Sequence, residues 1–235
     1  MNTTSVSFLL LAILSLVLPP LSLQAEAPPD GSTKKSHEAV EWCDMWKPHE
    51  NQTGLPRVLL IGDSITRGYY PDVEKQLQGK AFVDRLTSSA FTSDPMLTAQ
   101  IVMMLDNSHY DIIHFNNGMH GWQYTEEEYR AAYPAFVETI RKHAPSAKLI
   151  CATTTPLKAS TPVKQGDPHP SDERIQARNT IALEVVKPMG IAIDDLYTPM
   201  QGHPELHRDN FHFNAQGTAL QGQQVASEIS KLISK

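Results

Sequence analysis

The chain has 235 residues and a formal net charge of −6, enough length for one domain with a sizeable core plus a processed end. Lys and Arg are scattered rather than gathered into a basic stripe, which argues against nucleic acid as a partner, and beyond the first 25 residues no segment is long and apolar enough to span a bilayer. The two cysteines, Cys43 and Cys151, are not spaced as a zinc site, and a domain of this size needs no disulfide staple; a bridge or two separate apolar thiols both remain open.

The first 25 residues carry no charged side chain. An apolar run from Phe8 to Leu18 is followed by Pro19-Pro20 and a small-residue end, Leu23-Gln24-Ala25. This pattern predicts a secretory signal peptide and hence an exported protein, with an uncleaved anchor as the alternative, since Lys and Arg are missing from the leading end. No Cys lies near the expected cut, which argues against a lipoprotein anchor. Residues 26–55 read as a linker or extension, in which "VEWCDMW" places Trp42 and Trp46 four apart and predicts a short helix packed on the domain. Asn51-Gln52-Thr53 is a glycosylation sequon.

From residue 56 onward strand and helix patterns alternate. "RVLLIG" (57–62) is a buried strand. "ITRGYYPDVEKQLQG" is a helix ending near Gly79, with Pro71 implying a break near its start. "AFVDRLT" alternates as a strand, and "DPMLTAQIVMMLDN" is a helix with Pro95 in its first turn. "YDIIHF" is a third strand with His114 buried inside it. "TEEEYRAAYPAFVETIRKHAP" is the clearest helix, opened by the capping-box pair Thr125 and Glu128 and striped by Tyr129, Tyr133, Phe136, Val137 and Ile140. "AKLICATTT" is a fourth strand. A loop with four prolines (155–172), a helix, a fifth strand "IAIDDLY" and a closing helix complete the chain. Strands alternating with helices predict a parallel sheet covered on both faces, and five such strands suit a flavodoxin-like three-layer sandwich in which ligands bind outside the carboxyl ends of the strands.

Two motifs at that edge carry chemistry. In "VLLIGDSITRG" (58–68), Ser64 stands where the first strand gives way to a helix, a place for a nucleophile or for an ordinary N-cap. In "HRDNFHFNAQG" (207–217), Asp209 and His212 are three apart just before the last helix, where a short turn can set a carboxylate against one imidazole nitrogen and leave the other facing outward. A serine nucleophile requires that base and that orienting acid. No phosphate-cradling glycine loop is present.

"GDSIT" after the first strand together with "DNFH" before the last helix resembles the SGNH (GDSL-like) hydrolase family over roughly residues 57–235. The resemblance implies the same sandwich fold, an ester hydrolase with catalytic Ser64, His212 and Asp209, and no metal or organic cofactor. It further implies an oxyanion hole of the Ser64 N–H, a backbone N–H after the second strand and an Asn side chain after the third. The middle motifs depart from the family pattern. "LTSSAFTSDP" has no glycine, so Ser89 or a neighbour is expected to donate. "FNNGMHGW" offers Asn117 first, then Asn116, or His120 if "GMHG" occupies the motif. Arg67, Tyr69, Tyr70, Trp122 and Tyr124 are further candidates for a pocket wall. The expectation is a secreted esterase acting on small acyl, first of all acetyl, esters of small molecules or carbohydrates. An acyltransferase using the same residues and a carbohydrate-binding domain without catalysis are the alternatives.

Overall fold

The computed structural model describes residue 1 and residues 37–159 and 169–233. The proposed signal peptide beyond residue 1 and residues 160–168 of the proline-rich loop lie outside the described residues. A six-stranded sheet runs in the order β1-β3-β2-β4-β5-β6, where β1 is Cys43–Trp46, β2 Arg57–Gly62, β3 Phe82–Ser88, β4 Ile112–Phe115, β5 Lys148–Ala152 and β6 Ala192–Asp194. The last five strands pair in parallel, and β1 joins antiparallel to β3. The five parallel strands are those read from the sequence. The sixth is a correction: the segment expected to be a short Trp42–Trp46 helix is the edge strand. Its residues Cys43, Met45 and Trp46 are exposed, so four-residue spacing of two tryptophans here reflects no buried helical stripe.

Helices α1 (Ser64–Gln76) and α5 (Ala215–Ile233) cover one face of the sheet, and α2 (Pro95–Asn107), α3 (Glu126–His143) and α4 (Asp172–Val186) cover the other. Period-two alternation sorts the strand residues between two cores. Leu59 and Ile61 of β2, with Ile113 and Phe115 of β4, face α2–α4. Val58, Leu60 and Ile112 face α1 and α5. Both faces are apolar because both are covered. α1 continues unbroken through Pro71, against expectation. Pro71 lies on the exposed face, where water can take the carbonyl the proline leaves unbonded, while Tyr69, Tyr70 and Val73 hold the helix to the sheet. α3 begins with the expected capping box of Thr125 and Glu128.

Cys43 and Cys151 are not bridged. They lie on β1 and β5, four strand spacings apart, or about 19 Å, well beyond the reach of a disulfide. Cys43 is exposed and Cys151 buried. Among the described residues no helix is long and apolar enough to cross a membrane.

The chain leaves β2 for β3 on one side and then crosses to β4 on the other. The strand order therefore reverses beside β2, and the crevice outside its carboxyl end is the switch point where ligands bind in such sheets. Ser64 is two residues past that end.

Candidate functional site

Local chemistry at the end of β2 removes the capping reading of Ser64. Asp63, not Ser64, is the N-cap of α1: its Oδ1 accepts the Ile65 N–H at 2.8 Å. Gly62 allows this tight exit, because a Cβ there would stand 2.0 Å from Thr66 Oγ1. Ser64 is thus the first helical residue, its hydroxyl released from capping, and its own N–H belongs to the first turn, where backbone donors lack intrahelical acceptors.

The second motif forms a small hairpin closed by a bridge between His207 and Phe213, with the Arg208 N–H donating to the His212 carbonyl at 2.8 Å. The turn brings the Asp209 carboxylate to His212 Nδ1 at 2.9 and 3.0 Å. His212 Nε2 lies 2.9 Å from Ser64 Oγ. Partial burial works against the Asp209 charge, but the N–H groups of His212 and Phe211 and the His212 ring outweigh it and hold the carboxyl well below the usual carboxylate range. The carboxylate stays ionised and fixes the proton on Nδ1, leaving Nε2 free to accept the Ser64 proton. Three residues from two distant motifs thus form one hydrogen-bonded relay.

The remaining sequence candidates fare differently. The Ser89 N–H, expected to be free for an oxyanion, donates to the Trp42 carbonyl at 3.1 Å, and Ser89 Oγ accepts the Trp42 N–H at 2.9 Å. The edge strand that the sequence reading missed therefore engages this residue. Asn117, expected to be the side-chain donor, is buried and donates its amide to the Ala90 carbonyl at 3.0 Å. Asn116 donates to the Ala152 carbonyl at 2.7 Å and to Thr154 Oγ1 at 3.1 Å. Both asparagines hold loops together. His120 instead shares a cavity wall with Ser64 and His212, the geometry that the other of the two registers weighed from sequence calls for.

His120 has a partner that sequence reasoning did not find. Glu38, from the segment before β1, accepts from His120 Nδ1 at 3.0 Å and from the Gly121 N–H at 3.2 Å. His120 Nε2 is buried with no hydrogen-bond partner. Burial alone would lower the His120 pKa, but the Glu38 carboxylate, with Asp63 and Glu41 nearby, reverses this and raises it. Burial likewise opposes the Glu38 charge, and His120 with the Gly121 N–H lowers its pKa all the same. A neutral His120 with its proton on Nδ1 would present a bare Nε2 acceptor; a protonated His120 presents Nε2–H.

The loop carrying His120 is clamped by the fully buried Arg178 of α4, whose guanidinium donates to the carbonyls of Gly118, His120 and Gly121 at 3.0, 2.7 and 3.0 Å. Gly121 has φ +74° and lies so close to the Phe91 ring that a Cβ would stand 2.3 Å from it. No local pattern in the sequence announces this clamp.

Two cavities flank Ser64 and His212. One, of about 610 Å³, is walled by Trp42, Trp122, Met119, Phe211, Glu38 and His120. The other, of about 440 Å³, opens between the first turns of α1 and α5. Arg67 stands between them, lining both, with its guanidinium 4.7 Å over the Trp42 ring. Tyr124, by contrast, stacks on Phe91 at 4.3 Å as part of the core.

Comparison with known proteins agrees with this architecture. Among solved structures, similar ones include a carbohydrate esterase family 3 protein from Talaromyces cellulolyticus (19% identity, 77% of this chain and 99% of that one, TM-score 0.61). A carbohydrate acetylesterase from Sinorhizobium meliloti is similar at 16% identity (75% and 99% coverage, TM-score 0.60). The aryl esterase of M. smegmatis is similar at 16% identity (75% and 99%, TM-score 0.61). At these identities the likeness concerns the fold. A search of curated proteins found no match. The sequence model of the GDSL-like Lipase/Acylhydrolase family matches residues 60–220, most of the sheet together with Ser64, His120, Asp209 and His212, and the chain belongs to that family.

Proposed function

We propose that this protein is a serine esterase that removes small acyl groups, acetyl first among them, from carbohydrate esters outside the cytoplasm. The observation that carries the reading is the unbroken relay from Ser64 Oγ to His212 Nε2 and from His212 Nδ1 to the Asp209 carboxylate, with every step between 2.9 and 3.0 Å. Ser64 Oγ attacks the ester carbonyl as its proton passes to His212. Asp209 stabilises the imidazolium, which then hands the proton to the departing alcohol. Water enters, gives its proton to His212 and releases the acid from the acyl-enzyme.

The developing oxyanion rests on the Ser64 N–H and on the Nε2–H of protonated His120. Glu38 is a positioning residue: its carboxylate keeps the proton on Nδ1 and favours the second proton on Nε2. Such a donor acts only where charge develops, and in comparable sites one donor is worth about 10²–10³ in rate.

The carbohydrate part of the reading is supported by the aromatic walls of Trp42 and Trp122 beside the nucleophile, since flat rings pack against sugar faces. It is also supported by the kinds of ester named for the two carbohydrate esterases among the structural neighbours. Export is supported by the uncharged leading segment with its short apolar run. The test is release of acetate from acetylated oligosaccharides and of 4-nitrophenol from 4-nitrophenyl acetate by the purified protein, with Ser64→Ala as control. Equal turnover by the variant would end the reading.

A further inference from the structure

The cavity between α1 and α5 has a chemistry of its own. Its wall contains Arg67, Arg208 and Gln221 together with Asn214 and Thr218, and it contains no Asp or Glu, in a chain whose net charge is −6. Arg67 has no carboxylate partner among the described residues; its guanidinium meets only the face of Trp42. Arg208 is an exposed side chain whose nearest carboxylate, Asp209, stands 3.6 Å away and is already engaged by His212.

Gln221 lies in the same wall. It is 1% exposed, and neither its amide oxygen nor its amide nitrogen has a hydrogen-bond partner. Buried amides are almost always paired, with protein groups or with ordered water, and Gln221 can donate to one such partner and accept from another. The same cavity receives the amino end of α5. Asn214 Oδ1 caps the N–H groups of Gln216 and Gly217 at 3.0 and 3.1 Å, and the helix leaves its partial positive charge at that end. Two guanidinium groups and a helix amino terminus favour negative charge. A guanidinium fork matches the planar oxygens of an oxyacid.

We infer that this cavity is a subsite for an acidic group carried by the sugar part of the substrate, a carboxylate or a sulfate, so that the ester cleaved belongs to an acidic saccharide. The inference rests on the esterase reading above and adds a substrate class to it. Arg67 borders both cavities and would grip the acid while the acyl carbon is presented to Ser64.

A matched set of substrates tests it: an O-acetylated methyl glucuronoside, the corresponding glucoside 6-sulfate, and the neutral O-acetylated methyl glucoside. The acidic members are expected to exceed the neutral one in kcat/KM by about tenfold or more at low salt, chiefly through KM. The ratio should shrink at about 0.5 M salt and fall towards one in Arg67→Gln and in Arg208→Gln. Preference for one acid over the other identifies the group. A ratio near one in the wild-type protein, or one unchanged in Arg67→Gln, overturns the subsite. Turnover of 4-nitrophenyl acetate reports separately on the esterase reading. If that substrate is inert, calorimetric titration of the full chain with glucuronate and with glucose 6-sulfate still decides. Saturable binding lost in Arg67→Gln supports the subsite, and its absence at millimolar ligand refutes it.

Discussion

The pairs His212–Asp209, His120–Glu38 and His114–Asp194 lie near the carboxyl edge of this sheet, and they differ in what surrounds them rather than in what they are. His212 and Asp209 are three residues apart on a half-exposed hairpin, and the far nitrogen of the ring meets a serine hydroxyl. His120 and Glu38 come from segments 82 residues apart, are more deeply set, and leave the far nitrogen unpartnered in the wall shared with that serine. His114 and Asp194 are 0% exposed, bonded at 3.0 Å across β4 and β6, with Gln224 completing the carboxylate at 2.7 Å. On the proposed reading the first pair moves a proton and the second presents one, while the third ties a core together. The free ring nitrogen, and what it can reach, sets the role.

The sharpest way to break this comparison is to remove the proton acceptor's partner. Ser64→Ala or His212→Ala should lower kcat by about 10⁴-fold or more. Thermal stability should hardly move, because Asp63 rather than Ser64 caps α1. A Ser64→Ala protein that keeps its activity and loses about 0.5–2 kcal/mol of stability would restore the capping role.

The third pair should behave in the opposite way. Asp194→Asn leaves a buried histidine without its carboxylate and should destabilise the fold by about 3 kcal/mol, read from denaturant unfolding, with kcat of the remaining folded enzyme within a factor of a few. A collapse of kcat at unchanged stability would place His114 in the chemistry.

For the second pair, His120→Ala should reduce kcat by about 10²-fold with KM nearly constant, while Asn117→Ala should cost less rate. Asn117→Ala should show instead as lost stability of about 1–2 kcal/mol, since the Ala90 carbonyl then loses its donor. If Asn117→Ala proves the slower enzyme, the oxyanion assignment to His120 is wrong.

The smallest effect concerns pH. On the proposed mechanism activity needs His120 protonated, so it should fall at alkaline pH as that proton is lost. In Glu38→Gln the carboxylate that raises the His120 pKa is gone. The alkaline limb should move to lower pH, with kcat at neutral pH reduced by about tenfold or less. Stability should follow the same logic. A raised His120 contributes fully below its ordinary value of 6.5 and loses that contribution as pH climbs through the raised one. A lowered Glu38 contributes above its ordinary value of 4.5 and loses that contribution as pH drops through the lowered one. The pair should therefore hold the segment before β1 most firmly between 4.5 and 6.5. An alkaline limb identical in Glu38→Gln and wild type would remove Glu38 from the mechanism.

The sequence by itself determined the parallel sandwich and the Ser64–His212–Asp209 grouping. Both rest on local rules. Apolar runs ending in Gly62 and helices with capping pairs such as Thr125–Glu128 declare themselves within a few residues. Asp209 and His212 are close enough in the chain for one turn to join them. Tertiary structure alone decided the rest of the site. Whether Asn117 or His120 reaches Ser64 depends on which carbonyls are already claimed, and Ala90, Ala152 and Trp42 claim their donors from 27 to 47 residues away. The edge strand around Trp42, the Glu38 carboxylate on His120 and the Arg178 clamp on its loop are pairings between distant segments. Such pairings are set by where the sheet edge lies and which buried polar atoms need partners, and neither is written in any local run of residues.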